Sequence, residues 1–62
     1  MKPQELRSAR EAANLTQAEA AALVYTTERT WRKWESGAIA GKFEINNYRA
    51  RSELFMFKVK GE

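Results

Sequence analysis

The chain has 62 residues and a formal net charge of +3, which leaves room for one small domain. It contains no cysteine, histidine or aspartate, so the common thiolate and imidazole metal ligands, the commonest general base and a Ser-His-Asp triad are all absent. These exclusions predict a protein that is not an enzyme and that holds neither a metal ion nor a cofactor.

The distribution of charge along the chain is uneven. Residues 1–24 and 52–62 are each neutral overall, and the whole positive excess lies in 25–51. A basic middle of this kind is typical of a surface that faces a polyanion. No apolar run approaches the roughly 18 residues of a membrane span, and no signal peptide opens the chain. We therefore expect a cytoplasmic protein with no membrane association.

The first predicted helix begins at Pro3, because proline suits the first helical position, where its missing N–H would have no partner. Leu6, Ala9 and Ala13 follow at helical spacing and share one face, which predicts an amphipathic helix. Asn14 is expected to end this helix in the left-handed conformation.

Two N-cap signals mark the next two helices. Thr16 and Glu19 form a predicted capping box, so the second helix should run over about 17–24. Thr27 is the predicted N-cap of the third helix, and Gly37 is expected to end it. Two short helices joined by a tight connection are typical of a helix-turn-helix.

The last third of the chain has no glycine or proline from 42 to 60, which favours one regular element. As a helix it carries two apolar stripes, the first with Ile45, Tyr48, Phe55, Met56 and Val59, and the second with Phe43, Ala50, Leu54 and Phe57. As a strand it alternates apolar residues at 55, 57 and 59. We favour a helix over roughly 47–58, with Asn46 and Asn47 as its N-cap or as a turn.

Together these elements predict a single all-α domain over 1–62, a small helix-turn-helix domain of four to five short helices. The alternative is three helices followed by a C-terminal β element.

The segment LTQAEAAALVYTTERTWRKWESG at 15–37 resembles the Cro/repressor (XRE-like) helix-turn-helix family without a gap, and LRSAR at 6–10 matches that family's first helix. Tyr25 departs from the pattern, because the family often places glycine at this turn. Either the turn avoids a positive φ here or the tyrosine tolerates it.

The matching apolar positions predict a core. Ala21 lies where the second and third helices cross, so a larger side chain would push them apart. Leu15, Val24, Trp31 and Trp34 are expected to supply the packing between these helices. We expect the two tryptophans to lie in the core or against a partner rather than to stack on bases, since large aromatics dominate small cores.

The resemblance also implies roles for exposed polar residues. The implied base contacts are Glu28, Arg29 and Lys33, and the phosphate contacts are Gln17, Arg32 and Lys42. An arginine pairs bidentately with guanine and a glutamate accepts from the cytosine amino group. The free amides at the helix N-terminus add to a phosphate contact by Gln17. Gln17 and Arg29 are both expected to be exposed.

Arg10 and Glu35 carry a structural signal. Arg10 lies on the inward side of the first helix, where a bare charge is costly. The family resemblance implies that Arg10 and Glu35 form a packed ion pair, which is a structural feature and not a catalytic one.

The function predicted from these features is sequence-specific binding of double-stranded DNA by a small phage-type or bacterial repressor. A homodimer on a two-fold operator is the expected working form. The candidate dimer surface is formed by Phe43, Leu54 and Phe57, since one thin core cannot absorb both stripes. Alternatively, these three residues wrap back over the tryptophans. The competing function is an antitoxin or adaptor that uses the same fold to bind a partner protein.

Overall fold

The computed structural model describes residues 2–61. It contains four α-helices, α1 (Pro3–Ala12), α2 (Gln17–Leu23), α3 (Glu28–Ser36) and α4 (Gly41–Lys60), and residues 2–61 include no strand. The all-α prediction is confirmed, and the alternative with a C-terminal β element is wrong. The terminal positions of the predicted domain, 1 and 62, lie outside the described residues.

The predicted boundaries of the first three helices are confirmed. Thr16 and Glu19 form a complete capping box at the start of α2, and the Thr27 hydroxyl accepts a hydrogen bond from the Thr30 amide at the start of α3. Asn14 after α1 and Gly37 after α3 both adopt the left-handed conformation, with φ of 59° and 80°. Local capping chemistry therefore places both helices of the motif.

The turn between α2 and α3 resolves the alternatives left open at Tyr25. This residue adopts a left-handed conformation with a φ of 60°, which is strained for a side chain that carries a Cβ atom. The Lys58 ammonium group lies 4.6 Å from the ring centroid of Tyr25. It also donates a hydrogen bond of 2.8 Å to the carbonyl oxygen of Leu23. The end of α4 thus holds the strained turn in place.

Replacement of Tyr25 separates the backbone strain from these side-chain contacts. Tyr25→Gly and Tyr25→Ala both remove the ring from Lys58, but only glycine adopts a positive φ without penalty. We expect the glycine variant to be more stable than the alanine variant by about 1 kcal/mol. Urea denaturation of the two variants measures this difference, and equal stabilities would show that the turn is not strained.

The fourth helix is longer than predicted, because it begins at Gly41 and not near position 47. The Glu44 carboxylate accepts a hydrogen bond of 3.2 Å from the backbone N–H of Ala40, which supports the first turn. Asn46 and Asn47 lie inside the helix, so neither is an N-cap or a turn residue. The tertiary packing of later residues in α4 overrides the weak helix propensity of these two asparagines.

The core is built around two tryptophans, as predicted. Trp31 packs edge-on against Phe55 with ring centroids 4.9 Å apart, and Trp34 packs in the same way against Tyr48 at 5.8 Å. Ala21 is buried where α2 meets α3, and its small side chain allows the two helices to pack closely. The core thus joins α3 to α4 and to α2, and it fixes the orientation of α3.

The two apolar stripes of α4 differ in how far they are buried. From the first stripe, Tyr48 and Phe55 are buried, while Ile45 is exposed. From the second stripe, Phe43 and Phe57 are exposed, whereas Leu54 is half-buried and packs against the core. Of the three residues expected at a dimer surface, only the two phenylalanines are exposed.

Candidate nucleic-acid interface

The outward face of α3 is basic. Trp31 and Trp34 turn inward, and the opposite side of the helix exposes Arg29, Arg32 and Lys33. Helical periodicity explains this division, because residues three or four apart share a face. The packing of the tryptophans therefore determines which side chains α3 presents to solvent.

Arg29 differs from the other two cations of α3. It is exposed, and it forms no hydrogen bond or ion pair within residues 2–61. A guanidinium group of this kind is available for bidentate hydrogen bonding to a planar acceptor edge. Arg29 lies in the first turn of α3, which is the end of a recognition helix that contacts base edges.

Arg32 and Lys33 are both held by carboxylates of the same chain. Arg32 forms an ion pair with Glu28, one turn earlier on α3. Lys33 donates a hydrogen bond of 2.6 Å to Glu44 of α4. This bond from Lys33 and a second one from the Ala40 backbone amide lower the pKa of Glu44. The positive charges of Arg32 and Lys33 are therefore partly neutralised by carboxylates of the same chain, whereas the charge of Arg29 is not.

These pairings bear on two of the predicted base contacts. The Glu28 carboxylate is half-buried and bound to Arg32, and Lys33 is bound to Glu44. Both side chains are therefore engaged within the chain. Lys42 lies at the start of α4, is exposed and has no ion-pair partner in the described part of the chain.

Gln17 is at the N-terminus of α2, but it is half-buried rather than exposed. Its Nε2 atom donates a hydrogen bond of 3.1 Å to Glu35. Its Oε1 atom accepts a hydrogen bond of 3.2 Å from the Arg32 Nε atom. The expectation of an exposed glutamine is wrong, because the side chain bridges the interior carboxylate and the basic face.

Glu35 is the centre of a polar cluster that joins the first three helices. Its side chain is 7% exposed and pairs with Arg10, whose Nε atom lies 2.6 Å from a carboxylate oxygen. Gln17 and the indole N–H of Trp31 donate to the same carboxylate. A further guanidinium nitrogen of Arg10 donates to the carbonyl oxygen of Leu15 at 3.0 Å. The carboxylate thus has three donor side chains, and the arginine holds the loop before α2.

The resemblance led us to expect Arg10 and Glu35 together but did not indicate the other two donors. The spacing of Trp31 and Glu35, four residues apart on one helix, is a signal that could have predicted the indole contact. No comparable signal exists for Gln17, which reaches Glu35 from another helix. This contact joins side chains of two different helices, so it depends on how α2 and α3 cross.

The cluster keeps Glu35 ionised. Burial alone would raise the pKa of Glu35, but the hydrogen bonds from Arg10, Trp31 and Gln17 outweigh it and hold the pKa below its ordinary value of 4.5. The hydrogen bond to Glu35 likewise raises the pKa of Arg10. Each partner thus stabilises the charged form of the other.

The lowered pKa of Glu35 predicts acid sensitivity. A carboxylate with a lower pKa in the folded state contributes stability above its unfolded-state pKa, and this contribution is lost as the pH falls through the folded-state value. We expect the free energy of unfolding to decrease from about pH 4.5 downward. Glu35→Gln should show a shallower decrease over the same range. Denaturant titrations from pH 3 to pH 7 test this, and parallel curves for the two proteins would contradict it.

None of the helices in residues 2–61 is long and apolar enough to cross a membrane. In the same residues, no group of three or more histidine, cysteine, aspartate or glutamate side chains could hold a metal ion. What the described chain offers is a capped pair of short helices with a basic outward face on the second. That arrangement defines a helix-turn-helix domain of the DNA-binding class.

Comparison with family models agrees with this structural class. Residues 4–44 match the family described as helix-turn-helix domain, and the chain belongs to that family. The match covers α1 from its second residue, all of α2 and α3, and the start of α4, and it is consistent with the resemblance to XRE-like proteins. Searches of curated proteins and of solved structures gave no match. Domains of this family bind DNA and are typically not enzymes.

Proposed function

We propose that this protein is a sequence-specific transcription regulator, a small repressor of phage or bacterial type that binds its operator as a homodimer. The observation that supports this most directly is the unpaired Arg29 on the outward face of α3, within the family match. The proposal takes residues 1–62 as one domain.

In this proposal α3 enters the major groove. Arg29 pairs with a guanine, and Glu28 and Lys33 contact neighbouring base edges. Gln17, Arg32 and Lys42 contact phosphates. The acidic partners of Arg32 and Lys33 are exchanged for groups of the DNA when the complex forms. In a dimer, the centres of the two half-sites lie about 10 base pairs apart.

The proposal predicts a steep dependence of affinity on salt. Each phosphate contact adds about −0.9 to the slope of log affinity against log salt, and we expect about four to eight contacts for a dimer. Titrations of labelled DNA at several salt concentrations measure the slope. Arg32→Ala should reduce its magnitude by about 1 for each half-site. Arg7→Ala is the matched control, because Arg7 is an exposed, ion-paired cation on α1 outside the proposed interface.

The competing proposal is an antitoxin or adaptor that binds a protein through its exposed apolar residues. It predicts a slope near zero and no shift of any DNA at low salt. That result would overturn the proposal of DNA binding, since a basic recognition face must at least bind DNA nonspecifically.

A further inference from the structure

The outward face of α4 carries a regular apolar strip, formed by Phe43, Ala50 and Phe57. Phe43 is 85% exposed and Phe57 is 59% exposed, and Ala50 is exposed between them. Each interval is seven residues, which brings the chain to within about 20° of two full turns. The three side chains therefore follow one line along the helix, about 21 Å long.

The strip is symmetric about Ala50. A two-fold axis that runs between two copies at the level of Ala50, perpendicular to both helices, places Phe43 of one copy opposite the partner subunit's Phe57, and the same contact recurs on the other side. Such a surface is self-complementary, as a two-fold interface requires. The small side chain at the centre allows two helices to approach to about 8 Å.

The charges beside the strip favour an antiparallel arrangement. Arg49 and Glu53 lie on the same flank of α4 and are exposed, and neither forms an ion pair within residues 2–61. In an antiparallel pair Glu53 lies beside the partner subunit's Arg49, once on each side of the axis. In a parallel pair, each of these charges lies instead at the same height as the identical charge of the other copy. The two helix dipoles then point the same way, which is unfavourable.

The apolar area is sufficient to contribute substantially to a dimer. A phenylalanine buries about 150–250 Å² when it is enclosed, so the exposed fractions of Phe43 and Phe57 leave roughly 200–350 Å² per copy. Two copies supply about 400–700 Å² from these rings, around half of the smallest area that specific interfaces bury. Ala50 and the polar residues on either side of the strip add to it.

We infer that the partner bound by this face is a second copy of the chain, with its α4 antiparallel and with Ala50 on the two-fold axis. The inference rests on the proposed function in that it specifies how the DNA-binding homodimer forms. It assigns the dimer contacts to Phe43 and Phe57, and it leaves Leu54 largely to the core.

A cysteine placed on the axis tests the inference directly, because the chain has no cysteine of its own. Ala50→Cys should form a disulfide-linked dimer under mild oxidation, since the two Cα atoms then lie within the roughly 7 Å that a disulfide spans. The control is Ala22→Cys, an exposed alanine on α2. A cross-linked yield for Ala50→Cys no higher than for the control would overturn the inference.

The antiparallel orientation has its own test. Asn46→Cys and Glu53→Cys, made in chains of different mass, are mixed and oxidised. An antiparallel pair brings position 46 of one copy next to position 53 of the other, so the mixed product should predominate. A parallel pair gives mainly the two self-linked products, and that result would overturn the inference.

A third variant separates this inference from the proposed function. Phe43→Ser with Phe57→Ser changes only exposed side chains, so the protein should keep the circular dichroism of the folded state. It should sediment as a monomer and still shift DNA at low salt through α3. A variant that remains dimeric, or a parent chain that is monomeric at high concentration, overturns the dimer surface. A parent chain that is dimeric but binds no DNA instead overturns the proposed function alone.

Discussion

Replacing Arg10 by methionine is expected to lower the free energy of unfolding by about 3 kcal/mol or more. The substitution leaves the carboxylate of Glu35, which is 7% exposed, without its cationic partner. It also removes the hydrogen bond from Arg10 to the carbonyl oxygen of Leu15. The hydrogen bonds from Trp31 and Gln17 remain, but neither of these two side chains carries a positive charge. Urea denaturation at pH 7 measures the loss.

The second arm of this test is the double variant Arg10→Met with Glu35→Gln. Glutamine keeps an acceptor for the Trp31 indole and removes the stranded charge, so the double variant should recover much of the stability lost by Arg10→Met. The single variant Glu35→Gln completes the cycle. If the two single losses simply add, the ion pair contributes nothing as a unit and this account of the cluster is wrong.

Replacing Arg29 by alanine is expected to weaken operator binding by about 1–3 kcal/mol per half-site. The preference at one base-pair position of each half-site should relax at the same time, because the proposed bidentate contact of Arg29 with this base is lost. Arg29 is exposed and has no partner in the described residues, so the melting temperature should change little. Binding profiles on single-base variants of a selected operator measure both effects.

Gln17→Ala is the contrasting variant. In the proposed complex Gln17 contacts phosphate, so its loss should weaken binding to all sequences about equally. The structure adds a second expectation, because the side chain donates to Glu35 and accepts from Arg32. This variant should therefore also lose about 1–2 kcal/mol of stability. An unchanged base profile for Arg29→Ala would show that the proposed register of α3 on DNA is wrong.

Much of the motif could be predicted from short-range sequence signals. The capping box at Thr16, the N-cap at Thr27 and the glycine at Gly37 each act on a neighbouring backbone group, so a few residues suffice to place both helices. The inward side of α3 followed from the spacing of Trp31 and Trp34. The outward position of its cations then followed from helical geometry alone.

The contacts that the site residues make within the chain could not be predicted in the same way. Lys33 pairs with Glu44 of α4, and Gln17 bridges Glu35 and Arg32. Each contact joins side chains from different helices, and none of them produces a periodic pattern in the sequence. Arg29 is distinguished from its neighbours only once these other pairings are known.

The three-helix motif, the composition of the core and the basic character of α3 could be predicted from the sequence, because capping, periodicity and charge are local properties. The length of α4, the left-handed conformation of Tyr25 and the separation of the two apolar stripes are instead set by packing between helices. These depend on what packs against each residue: Tyr48 and Phe55 are buried against Trp34 and Trp31. Nothing in the described chain covers the opposite side of α4, and its phenylalanines remain exposed.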